Sequence, residues 1–162
     1  MYLSKEFDLK SKIFLALILG TLTVLGFAPF YFFPVPVITL LLLLHLWHSS
    51  AKPWHSAIIG FSFGMGLFGA GVTWLYVSLH DFGNMPMPIA VVALLLLCAY
   101  LSLFPALTGW FATKLRFIHF SAWAACVSAC WVISEWLRGT LFTGFPWLTL
   151  GYSQVPTSPL IG

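Results

Sequence analysis

Five apolar runs, at residues 12–33, 35–50, 56–79, 88–111 and 121–137, follow one another with only a few polar residues between them. A helix needs about 20 consecutive apolar residues to cross the hydrocarbon core of a bilayer. In lipid, each backbone amide must be satisfied within its own segment, which helices do and open sheets do not. The runs therefore predict an all-α membrane protein, a polytopic transmembrane helix bundle of about five spans. Composition agrees: charged residues are 7% of the 162, against about a quarter in soluble domains, and mean hydropathy is +0.99.

The runs are not alike. The second is short and begins among Pro34 and Pro36, so it reads as the return arm of a hairpin. The fourth contains Pro105, which predicts a kink. Lysines 5, 10 and 12 ahead of the first run give it the look of a signal peptide. No small-x-small cleavage site follows Leu25, however, and the expectation is an uncleaved first span. Beyond Leu141 come Gly144, Pro146, Gly151, Pro156, Pro159 and Gly162. Such a segment cannot continue a helix, and is expected to lie in the interface. An odd number of spans with no soluble domain reads as a piece of a longer product.

Charge sets the orientation. Lys5, Lys10, Lys12, Lys52, Lys114 and Arg116 all fall at one set of run ends, and the alternate loops hold no Lys or Arg before Arg138. The positive-inside rule then predicts a cytoplasmic N-terminus and places residues 27–36, 80–88 and everything after Leu137 outside. Tryptophans 47, 54, 110 and 123 are expected to flank the inner interface, and Trp136 and Trp147 the outer one.

Several function classes drop out. The formal charge of +3 comes without a polar basic patch, so no nucleic-acid partner is expected. Cys98, Cys126 and Cys130 lie inside apolar runs with no His, base or cation nearby, and are expected to be buried small hydrophobes. No metal and no cofactor is expected. In the third run Ala57, Gly60, Gly64 and Gly71 predict one close-packing helix face, flanked by Ser62, Gly66 and Gly69.

The candidate site is at the end of the last run, in Glu135-Trp-Leu-Arg-Gly139 and Thr143-Gly-Phe-Pro-Trp-Leu-Thr-Leu-Gly-Tyr-Ser-Gln154. Ionisable residues at a membrane span point first to function. Glu135 and Arg138, three apart, share a helix face and can pair. One reading is an anchoring pair with Arg138 snorkelling outward. The other has Arg138 hold a phosphate or carboxylate through its planar fork, with Glu135 orienting it. Phe145, Pro146 and Trp147 read either as an aromatic anchor or as the wall of a lipid pocket, with Tyr152 and Gln154 offering hydrogen bonds to an ester or amide. His80 beside Asp81 has the form of a base with its orienting acid. No nucleophile accompanies them, so an exposed loop pair is expected.

Those stretches, with Gly26-Phe-Ala-Pro-Phe30, the glycine-rich 60–71 segment leading into Trp74-Leu-Tyr-Val-Ser78, and Phe82-Gly-Asn-Met-Pro86, resemble apolipoprotein N-acyltransferase and occur in that family's order. Asn84 departs from the pattern, which has a glycine there. The resemblance implies a bacterial inner-membrane enzyme. In it, a phospholipid acyl donor acylates a cysteine thiol, and the thioester then acylates the α-amine of a diacylglyceryl lipoprotein acceptor. It also implies that a nitrilase-like domain with a Glu-Lys-Cys triad carries this chemistry. That domain is not within residues 1–162, which correspond to the N-terminal transmembrane domain and are expected to be inactive alone. No catalytic residue is therefore assigned, and Glu135, Arg138, Phe145, Pro146, Trp147, Tyr152 and Gln154 fall to substrate access and docking of that domain. A small transporter or channel subunit would need mid-membrane charges or inverted repeats. A non-catalytic scaffold binding bilayer lipid through its aromatic outer segment is the remaining alternative.

Overall fold

The computed structural model describes residues 8–116 and 119–155; Lys5, Pro156, Pro159 and Gly162 lie outside them. The described residues form six α-helices: α1 (Leu9–Thr23), α2 (Pro34–His48), α3 (Pro53–Gly71), α4 (Trp74–Val77), α5 (Met87–Lys114) and α6 (Phe120–Arg138). Three of these open with proline in the first turn, α2, α3 and α5, where a missing amide hydrogen costs nothing. The chain is an all-α membrane helix bundle. The α1 segment through Gly26, α5 and α6 are each long and apolar enough to cross a membrane, and α2, with 15 residues, is shorter.

The third apolar run is not one straight span. It breaks after Gly71, and α3 and the 74–82 segment meet at 54°. Val72 has left helical geometry (φ −115°, ψ 17°) at the break. The space is taken by the C-terminal segment: a Cβ on Gly71 would sit 2.3 Å from Leu148 Cδ1. Beyond the break, α4 and a π-turn (Ser78–Phe82) lead to α5, whose 28 residues reach about 42 Å at 1.5 Å each. This exceeds the ~30 Å core.

The bundle is built around α3. Its small residues form two seams rather than one face with a flank. Gly60 and Gly64 meet Pro105 and Ser102 of α5, whereas Gly66 meets Leu17 of α1 and Ser62 donates to Ile13 O at 2.8 Å. A Cβ on Gly60 would lie 2.3 Å from Pro105 O, and one on Gly66 would lie 2.1 Å from Leu17 O. Close backbone approach of this kind is what holds helices together when lipid removes the hydrophobic drive. Helical spacing explains the split, because Gly66, six residues on, lies about 120° around the helix from Gly60.

Two expectations need correction here. Trp47 and Trp123 are 1% exposed and belong to the core, not to an interfacial belt. Gly109 leaves room for the Trp47 indole, and Trp123 Nε1 donates to Ala112 O at 2.7 Å. Trp54, Trp110, Trp136 and Trp147 are exposed. Of the cysteines only Cys98 is buried; Cys126 is exposed and Cys130 intermediate. The reason is that α6 packs along a narrow stripe, burying only Trp123, Val127 and Arg138.

Two ends can be told apart. At the basic end, residues 49–52 join α2 to α3, and Lys12 and Arg116 donate to carbonyls of residues 48–50. At the loop end lie residues 27–33, 78–86 and 139–155.

Candidate functional site

At the end of α6 the chain reverses and forms a ledge across the loop end. Gly144 makes the turn possible: its φ is +80°, and a Cβ there would lie 2.0 Å from Gly139 O. Phe142, Thr143 and Leu148 also take positive φ (49°, 74° and 57°). Such geometry in non-glycine residues persists only where surrounding contacts impose it.

Arg138 supplies those contacts. It is 2% exposed. Nη1 donates to Phe145 O at 3.2 Å and to Trp147 O, and Nη2 donates to Thr149 Oγ1 at 3.3 Å. The guanidinium stands 5.1 Å from the centre of the Phe68 ring, a cation–π contact with the core of α3. Phe145 N closes the loop on Arg138 O at 3.0 Å. A planar fork of donors suits the task of gathering several carbonyls, which an ammonium cannot do with one geometry.

Glu135 works beside it. Its Oε1 accepts from Leu150 N at 2.9 Å, which pins the 3₁₀ turn Leu150–Ser153. Among the described residues Glu135 and Arg138 form no ion pair; each is turned to a different part of the ledge. Gln154 ties the far edge, with Nε2 donating to Phe33 O at 3.0 Å and to Ser153 Oγ at 3.1 Å. Phe145 packs against the core cluster.

Pro146, Trp147 and Tyr152 remain exposed, and two openings flank them. One, of about 370 Å³, runs between Val24, Phe27, Tyr31, Trp74, Trp147 and Tyr152. The other, of about 540 Å³, is lined by Glu135, Trp136, Thr140, Pro146, Thr149 and Tyr152. Trp147 lies against Trp74 with ring centres 5.3 Å apart, and Phe142 meets Tyr100 at 5.7 Å. An apolar cavity with a few polar groups at its rim accommodates a chain that carries a polar end. Tyr152 lines both openings.

The second polar cluster is separate in its bonding. His80 Nδ1 donates to Met85 O at 2.8 Å and its ring lies 5.3 Å from that of Tyr76, so it braces its own loop rather than engaging Asp81. Asn84, where the resemblance implies a glycine, takes φ 51°. Asparagine is among the residues that tolerate this conformation best, and the turn is kept. Trp74, Leu148 and Thr149 were not singled out from the sequence as site residues. Trp74 carried an aromatic signal, but the other two act through packing and a single hydroxyl.

Residues 19–162 match the family model for the apolipoprotein N-acyltransferase N-terminal domain. The chain belongs to this family. It is similar to proteins named apolipoprotein N-acyltransferase from Nitrosomonas europaea (62% identical over 151 residues, 93% of this chain and 30% of that protein) and Vibrio cholerae (42% over 147, 90% and 28%). A Coxiella burnetii protein of the same name is 45% identical over 157 residues, covering 91% of this chain and 30% of that protein. The chain thus spans about 30% of the length of these curated relatives.

Proposed function

We propose that this chain is the membrane part of a bacterial inner-membrane apolipoprotein N-acyltransferase, with its loop end toward the periplasm. The full reaction moves an acyl chain from a phospholipid to a cysteine thiol, releasing a lysophospholipid. The thioester is then attacked by the free α-amine of a diacylglyceryl-cysteine lipoprotein, which regenerates the thiol. Both steps belong to a nitrilase-like domain outside residues 1–162.

The role assigned to this chain is to bring both lipid substrates to that domain. The observation that carries the reading is the Trp74–Trp147–Tyr152 opening at the loop end, held by a buried arginine. In it, Pro146, Trp147 and Tyr152 line the path of an acyl chain. Glu135, Arg138, Phe145 and Gln154 are positioning residues that keep the ledge in place, rather than binding phosphate directly. The family membership and the lysines gathered at the opposite end support this orientation.

A chimera tests it: residues 1–162 replace the matching segment of the Nitrosomonas europaea relative. Acyl transfer from a phospholipid to a diacylglyceryl peptide is then measured. Trp147→Ala and Tyr152→Ala should each lower the rate by about tenfold or more at unchanged membrane insertion. Wild-type rates in both variants would make the ledge an anchor only. Residues 1–162 alone should show no turnover.

A further inference from the structure

At the basic half of the bundle, on its outer face, α3 and α5 enclose a groove of about 630 Å³ whose walls are almost wholly apolar. Its origin lies in the close seam beside it. Gly60 brings the backbones of α3 and α5 together at Pro105, and Ser56 Oγ meets Thr113 Oγ1 at 2.6 Å. Ala57 and Ala106 then form a shallow floor, while Trp54, Phe61, Trp110 and Phe111 stand up as walls. Trp54 is 68% exposed and Trp110 36%.

The rim is cationic. Lys12 and Arg116 at this end are committed to the carbonyls of residues 48–50. Lys114 is not: its ammonium stands 5.2 Å from the centre of the Trp110 ring, at the mouth of the groove. Lys52, exposed and immediately before α3, carries a second charge at the same end. A slot that takes a hydrocarbon chain, closed by tryptophans and capped by ammonium groups, has the chemistry of an acidic phospholipid.

We propose that this groove is a binding site for an acidic glycerophospholipid of the leaflet at the basic end, distinct from the opening at the loop end. One acyl chain lies over Ala57 and Ala106, and the phosphate is held by Lys114 and Lys52.

The chain is reconstituted in phosphatidylcholine vesicles carrying a minor fraction of dibrominated phosphatidylglycerol or, in parallel, dibrominated phosphatidylcholine. Quenching at the groove is the difference between the chain and its Trp54→Phe/Trp110→Phe variant. The acidic lipid should reach half-quenching at a mole fraction lower by about fivefold or more, about fivefold being expected of each basic side chain. That advantage should vanish in Lys52→Gln/Lys114→Gln and in high salt, and Ala106→Phe should weaken quenching by both lipids. Equal half-quenching fractions, or an advantage that survives loss of both lysines, would overturn the proposal. If the double variant fails to insert, the salt series on the unchanged chain decides alone.

Discussion

The two ends of the bundle use the same device to opposite effect. At the basic end Arg116 Nη1 donates to His48 O at 2.9 Å and Ser50 O at 2.5 Å, and Lys12 Nζ reaches Ser49 O at 3.1 Å. Arg116 stays exposed, and the residues it holds are in ordinary conformations. At the loop end Arg138 also gathers carbonyls, but it is buried under the segment it holds. All five positive-φ non-glycine residues among those described, Tyr31, Asn84, Phe142, Thr143 and Leu148, are at that end. Short, relaxed connections suffice to join helices. Strained backbone held over a buried cation is what a chain keeps where a surface must have one particular shape.

The sharpest way to break this contrast is Arg138→Ala. It removes the donors to Phe145 O and Trp147 O, and unfolding in mixed micelles titrated with SDS should show a loss on the order of 3 kcal/mol. Protease cleavage within residues 142–149 should rise in parallel. Gly144→Ala comes next, with a cost of about 2 kcal/mol in the same titration, because the added methyl meets Gly139 O. Arg116→Ala, the matching change at the basic end, should cost only about 1 kcal/mol. A loss there equal to that of Arg138→Ala would erase the distinction between the ends. Smallest is Asn84→Gly, which relieves a left-handed residue and should stabilise by less than about 1 kcal/mol.

The helices were legible because lipid demands long apolar runs, and their orientation relative to one another follows from where the lysines gather. What could not be read depends on neighbours. Trp47 and Trp123 occupy run ends like any interfacial tryptophan, yet a glycine on α5 and a carbonyl on the same helix draw them into the core. The break after Gly71 depends on Leu148, distant in sequence. Glu135, Arg138 and the residues from Phe145 to Gln154 lie together on one ledge. Arg138's own role was hidden because two of its partners are backbone carbonyls, which leave no trace in side-chain identity.

The bond from Gln154 to Phe33 O joins positions 121 residues apart. A chain threaded into the bilayer from its N-terminus would lay down the turn between α1 and α2 long before its partner exists. The bond from Gln154 can form only once α6 has inserted and the ledge swings over. Completion of the loop end is therefore a late event in biogenesis, and a stalled insertion intermediate would carry a finished basic end beneath an open roof.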